Sequence, residues 1–276
     1  MSRNPTPFTD FGGDGVEMLA VHGHFGGART FASLAHALAG RVRVTAVDQR
    51  GHGHAAHRDD SADYALDAYV ADLAAFVRDR GFGHDGGFGR DGGTAPVVLY
   101  GHSMGGVVAY HLAARHPELV RALVLEDAPA VVEPPILDTR SWTRRTPTLM
   151  GLGEAVIGEG IPDPAYFLEG AIRFADGWGL PFDHEGVFRS EELLLGEYWQ
   201  AWLDVRCPTL LMHGMDSPVL PTALAREMAE RRPGTTYVEF PGCGHWIHDD
   251  DVAGVASTVV KFLGAGGLTS WTGRWS

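Results

Sequence analysis

Residues 97–106 read Val-Val-Leu-Tyr-Gly-His-Ser-Met-Gly-Gly. A short, fully apolar run that closes on Gly-x-Ser-x-Gly and opens into a second apolar segment predicts a buried strand, a sharp turn at Ser103 and a helix. The turn needs small neighbours, because its backbone is strained and the chain passes close to itself; Gly101 and Gly105 supply the room. A serine held there stands at a helix N-terminus, whose free amides and positive dipole favour developing negative charge. Ser103 is therefore the candidate nucleophile. The segment lacks the Lys-Ser/Thr of a Walker phosphate loop and the spacing of G-x-G-x-x-G.

This strand–turn–helix unit sits in a chain that repeats the same alternation. Strand-like runs at Val16–Val21, Val42–Val47, Pro96–Tyr100 and Ala122–Leu125 alternate with helical stripes at Thr30–Leu38, Tyr64–Phe76 and Gly105–His116. The alternation resumes with a strand at Thr209–Met212, a helix at Thr222–Arg231, a strand at Thr236–Phe240 and a helix at Val252–Leu263. Strands alternating with helices predict an α/β fold with a mostly parallel sheet buried on both faces. Between the two stretches, residues 130–205 show no clear strand and are rich in aromatic residues, which predicts a helical insertion over one end of the sheet. The expected organisation is a core of 1–129 and 206–263, a cap of 130–205 and a tail of 264–276. Gly81–Gly93 and the Gly/Ser/Trp-rich tail read as flexible.

Composition narrows the function. The 276 residues allow one large domain or two small ones, at roughly 100–200 residues each. Lys and Arg number 22 against 35 Asp and Glu, a net charge of −13, which argues against a nucleic acid partner. No apolar run reaches the roughly 18 residues of a membrane helix, and residues 1–15 show no secretory pattern, so the expectation is a cytoplasmic protein with no membrane insertion. Two cysteines, Cys207 and Cys243, are too few for a disulfide framework or a four-thiolate zinc site. His-x-His at 22/24 and 52/54, with His57 nearby, raises a zinc hydrolase; but glycines separate these residues on loops, and the expectation is no metal and no other cofactor.

Two further segments carry chemistry. His22-Gly23-His24-Phe25-Gly26-Gly27 follows a strand. A tetrahedral oxyanion needs two preorganised N–H donors, and the Phe25 amide in this glycine-flanked loop can serve beside that of Met104, which follows the nucleophile. Gly244-His245-Trp246 follows the strand at 236–240, where His245 can act as general base for Ser103. His24, Trp142, Trp178, Trp199 and Trp246 are the candidate pocket residues, although the cap aromatics read equally well as the cap's own small core.

In order and spacing, His22–Gly27, Asp48–Gly53, Gly101–Gly105 and Gly244–Trp246 resemble the α/β-hydrolase superfamily over nearly the whole chain. The resemblance implies an eight-stranded, mostly parallel sheet flanked by helices, with a helical cap after the sixth strand. It also implies a Ser-His-acid triad. In most of the superfamily the acid follows the seventh strand in a GxxD pattern, but here Gly214-Met215-Asp216-Ser217 puts a serine at that place and Asp216 one residue early. A smaller branch of capped esterases carries the acid at the end of the sixth strand, with GxSP after the seventh and GHWxH around the histidine. Ser217-Pro218 and Gly244–His248 resemble that branch. Asp127 is then the first choice for the acid and Asp216 the alternative. Counting back from Pro129 selects Glu126 instead, and strand alternation lets only one of the neighbours 126 and 127 face His245.

The implied activity is a serine hydrolase that cleaves a small or medium carboxylic ester, thioester or lactone through an acyl-enzyme. A biosynthetic acyltransferase or cyclase on the same site, and a non-catalytic small-molecule receptor on the same fold, are the alternatives. The partner is a small acyl substrate in each catalytic case, and the sequence leaves its identity and the oligomeric state open.

Overall fold

The computed structural model describes residues 6–55, 64–80 and 95–266. The glycine-rich segment 81–93, His57 and residues 267–276 of the tail lie outside the described residues.

Seven strands form the central sheet: β1 (Phe8–Asp10), β2 (Val16–Val21), β3 (Val42–Val47), β4 (Val97–His102), β5 (Val120–Glu126), β10 (Thr209–Gly214) and β11 (Thr235–Phe240), in the order β1-β3-β2-β4-β5-β10-β11. Only β1 runs antiparallel, pairing Phe8 with Val47 at the edge. The sheet thus has seven strands among the described residues where eight are expected. The short run before Val16 supplies the single strand β1, which at three residues shows no readable alternation.

The parallel strands are apolar throughout because both of their faces are covered. Leu19, Val21, Leu99, Leu123, Leu125 and Leu211 point to one side, against α2 (Leu66–Arg80) and α3 (Met104–Arg115). Their neighbours Met18, Ala20, Val98, Tyr100, Ala122, Val124, Leu210 and Met212 point to the other, against α1 (Ala32–Leu38) and α9 (Val252–Ala265). This is the period-two consequence of the strand pleat. Each aliphatic side chain so buried contributes roughly 1.5–3 kcal/mol. The helix α8 (Thr222–Arg231) buries only Ala225 and Met228, as its mixed composition predicts.

Between β5 and β10 lie α4 (Leu149–Gly158), α5 (Ala165–Glu169), α6 (His184–Leu194) and α7 (Trp199–Asp204). The same stretch also holds β6 (Val131–Val132) paired with β9 (Gly196–Glu197), and β7 (Ile172–Phe174) paired with β8 (Gly177–Gly179). Strands of two or three residues carry no readable alternation, so a sequence pattern without clear strands does not reveal them. A separate apolar cluster joins Phe25, from the loop after β2, to Trp142, Leu152, Tyr166, Phe167, Phe182 and Val187 of this insertion. The insertion therefore packs over the carboxyl ends of the parallel strands, the end at which open α/β sheets bind ligands.

Candidate active site

Ser103 links β4 to α3 with φ 55° and ψ −128°, a conformation that L-residues rarely adopt. Such backbone costs on the order of 1–3 kcal/mol and persists only where the surroundings over-determine it. Here the Ser103 amide donates to the Glu126 carbonyl at 2.9 Å, and the Ser103 carbonyl accepts from Gly106 and Val107 at 2.8 and 3.1 Å. The flanking glycines are required by contact. A Cβ on Gly101 would lie 2.6 Å from the Gly106 Cα, and one on Gly105 would lie 2.2 Å from the Val21 carbonyl oxygen.

The structure brings Ser103, His245 and Asp127 into one hydrogen-bonded chain. Ser103 Oγ lies 2.9 Å from His245 Nε2, and His245 Nδ1 lies 2.7 Å from Asp127 Oδ2. Because a carboxylate only accepts, Nδ1 carries the proton and Nε2 is left to accept from the serine hydroxyl. Asp127 also has a positive φ of 47°, and its amide donates to the Met212 carbonyl at 2.9 Å, which fixes it between β5 and β10.

Asp127 is fully buried. Burial pushes its carboxyl up, but hydrogen bonds from His213, His245 and Ser217 outweigh that and hold it below the usual carboxylate range. The Ser217 hydroxyl donates at 2.5 Å and the Gly214 amide at 3.3 Å, while His213 Nδ1 stands at 3.4 Å. Ser217 and His213 are the partners that sequence reasoning missed. The signal for the first was present, since Ser217 occupies the place where the resemblance expects an acid. Asp216, the alternative acid, is exposed on the loop after β10, its amide bonded to the Cys243 carbonyl, and the structure does not bring it to His245.

Glu126 faces the opposite way, as alternation requires. It is fully buried, accepts the Tyr100 hydroxyl, and meets both the amide and Nδ1 of His248 at 2.9 and 2.8 Å. Burial raises its pKa, yet His248 and His102 outweigh burial and leave it at about 2. His102 stands between the two pairs, its Nε2 donating to the His245 carbonyl at 2.9 Å.

The loop at 22–27 is held by the segment that follows β3. The Gln49 side chain donates to the His22 carbonyl at 2.6 Å, and the Gln49 amide donates to His22 Nε2 at 3.1 Å. Asp48 accepts from the Ala28 and His54 amides at 2.8 and 3.0 Å. His52 Nε2 lies 2.7 Å from the His24 carbonyl. His22 and His52 thus spend ring nitrogens on backbone groups. Gly23 is tied to the serine turn by contact, since a Cβ there would fall 2.8 Å from Ser103 Cβ. Neither the Phe25 amide nor the Met104 amide donates to a protein acceptor among the described residues.

Ser103 and His245 open into a cavity of about 510 Å³ walled by Phe25, Met104, Val107, Leu194 and the proline-rich segment 131–137, with Pro218, Pro221 and Leu224 also in its lining. Of the candidate pocket residues, only His24 lines it. Trp142 stacks on Phe25 with ring centroids 6.1 Å apart, and Trp178 packs into the same cluster. Trp246 stacks on Tyr166 at 5.2 Å. Trp199 lies under the Arg231 guanidinium against the sheet-side core. The tryptophans therefore build cores, and the cavity wall is aliphatic and proline-rich.

The chain matches the alpha/beta hydrolase family over residues 18–258. It is 25% identical over 263 residues to a 2-(acetamidomethylene)succinate hydrolase of Mesorhizobium japonicum, a match spanning 92% of this chain and 90% of that one. It is 27% identical over 267 residues to the sn-1-specific diacylglycerol lipase ABHD11 of Mus musculus, across 89% and 80% of the two chains. The crystal structure of an E-2-(acetamidomethylene)succinate hydrolase superposes with a TM-score of 0.74 at 22% identity, over 93% of this chain and 94% of that one, a likeness of fold.

Proposed function

This chain belongs to the alpha/beta hydrolase family, and from that premise we propose that it is a serine hydrolase acting on carboxylic esters or thioesters, with Ser103, His245 and Asp127 as its triad and residues 130–205 as a cap over the site. The observation that carries the reading is the continuous hydrogen-bonded chain from Asp127 through His245 to Ser103, ending at an apolar cavity. The relatives being hydrolases, lipases and esterases supports the reaction class.

The chemistry follows from the donor directions. His245 Nε2 takes the hydroxyl proton as Ser103 Oγ attacks the acyl carbon. The oxyanion accepts from the Phe25 and Met104 amides, and losing one such donor costs on the order of 10²–10³ in rate. His245, now protonated and stabilised by buried Asp127, returns its proton to the departing alkoxide or thiolate. Water repeats the sequence on the acyl-enzyme, releasing the acid and restoring Ser103.

The test is labelling by a fluorophosphonate probe, which needs no knowledge of the substrate. Folded wild type labels rapidly and Ser103→Ala does not label. Folded wild type that stays unlabelled removes the hydrolase reading and leaves a ligand-binding protein.

A further inference from the structure

The cavity beside Ser103 is mostly apolar, and away from the serine and its histidine it carries one part-buried carboxylate. Glu191 of α6 lies in its wall with a side chain only 13% exposed. One of its oxygens accepts the Leu137 amide at 2.9 Å. The other has His24 Nδ1 as its nearest cationic candidate, at 3.8 Å, beyond hydrogen-bond reach. His24 cannot neutralise it: burial first, then the neighbouring His52 and His245, bring its pKa down to about 3, and its Nε2 is occupied by the Ser190 hydroxyl at 2.9 Å. Among the described residues no Arg or Lys lines this cavity, and its other charged group, Glu133, is a second carboxylate at the exposed rim. Burial outweighs the hydrogen bond from the Leu137 amide and raises the Glu191 carboxyl to about 7.

A part-buried acceptor in the wall of the space a substrate must fill, with one oxygen that takes no protein hydrogen bond among the described residues, sets a requirement on that substrate. A group that donates an N–H or O–H satisfies it, and a hydrocarbon leaves it as it is. A carboxylate placed there meets like charge in a low-dielectric wall, which disfavours it.

We propose that Glu191 is a specificity-determining residue of this site, selecting acyl chains that end in a hydroxyl or ammonium group and rejecting those that end in a carboxylate. This assignment rests on the serine-hydrolase reading and adds to it the chemical class of the acyl group.

The experiment compares four methyl esters of equal reach, those of hexanoic, 6-hydroxyhexanoic and 6-aminohexanoic acid and the monomethyl ester of adipic acid, followed by released methanol at pH 8. For the wild type, kcat/KM falls in the order ammonium, hydroxyl, methyl, carboxylate, with the carboxylate-ended ester roughly 100-fold or more below the methyl-ended one. Glu191→Gln keeps the shape and removes the charge, so the ammonium-to-carboxylate ratio shrinks at least about tenfold. A wild type that turns over the adipate ester within threefold of the hexanoate ester overturns the proposal while the hydrolase reading stands. So does a folded Glu191→Gln whose ratio is unmoved. Should Glu191→Gln fail to fold, the wild-type series decides alone. No hydrolysis of any ester, together with no fluorophosphonate labelling, removes both.

Discussion

Glu126 and Asp127 are neighbours at the end of β5, both fully buried, and each paired with a histidine from the segment 245–248. Their surroundings differ in one respect that sets their roles apart. The Asp127–His245 pair continues to Ser103 and from there to an open cavity. The Glu126–His248 pair ends in protein: Tyr100 closes one side, and both His248 and Glu126 are sealed from solvent. On the proposed reading, the same chemical pair serves proton transfer where it reaches a substrate and architecture where it does not. Glu126 reinforces the site from behind, since its carbonyl holds the Ser103 amide and its electrostatic neighbour His102 holds the His245 carbonyl.

The comparison breaks most visibly at Ser103. Ser103→Ala should lose on the order of 10⁶ in kcat with an unchanged melting profile, as measured on purified protein with any ester that the wild type accepts. Asp127→Asn should lose on the order of 10⁴ in kcat, because His245 loses the partner that fixes its tautomer. An equal loss in Asp216→Asn would move the acid to the loop after β10.

Glu126→Gln inverts the pattern. Breaking a buried pair leaves an uncompensated partner, so chemical denaturation should show a stability loss on the order of 3–5 kcal/mol, while the folded fraction still labels with fluorophosphonate. A Glu126→Gln protein as stable as wild type but unable to label would erase the distinction between the two pairs.

The sealed pair also has a pH signature. In the folded state Glu126 sits at about 2 against an ordinary 4.5, despite burial, because of the charges of His248 and His102. A depressed carboxyl contributes stability that is present above about 4.5 and lost as pH falls toward 2. His248 is held above its ordinary 6.5, burial being outweighed by Glu126, so its contribution is complete below 6.5 and is lost as pH rises through the folded value. The Tm gap between wild type and Glu126→Gln should therefore be widest between 4.5 and 6.5 and narrow on both sides. A gap that does not vary with pH would remove the ionic account of the pair.

Smallest is the effect at Ser217. Its hydroxyl is one of several donors to Asp127, and a hydrogen bond to a charged group is worth roughly 1.5–3 kcal/mol. Ser217→Ala should lower kcat about tenfold, and Asp216→Asn should leave it within about twofold, in the same steady-state assay.

Some of this was readable without coordinates because its causes are local. The strained turn at Ser103 follows from glycines at 101 and 105, and the two-faced burial of β2, β4 and β5 follows from unbroken apolar runs. Spacing and resemblance put His245 beside Ser103 and made Asp127 the first choice of acid, but left Asp216 and Glu126 in contention. Which of them meets His245 depends on the positive φ at residue 127 and the bond from its amide to Met212 on β10, a strand more than 80 residues away in the chain. The tryptophans could not be assigned from sequence at all. An aromatic side chain lining a pocket and one filling a core have the same composition and the same apolar driving force, and only the packing of the insertion against Phe25 decided that Trp142 and Trp178 belong to a core. The carboxyl of Glu191 in the cavity wall was equally invisible, because nothing in the sequence of α6 shows that this helix is laid over the serine.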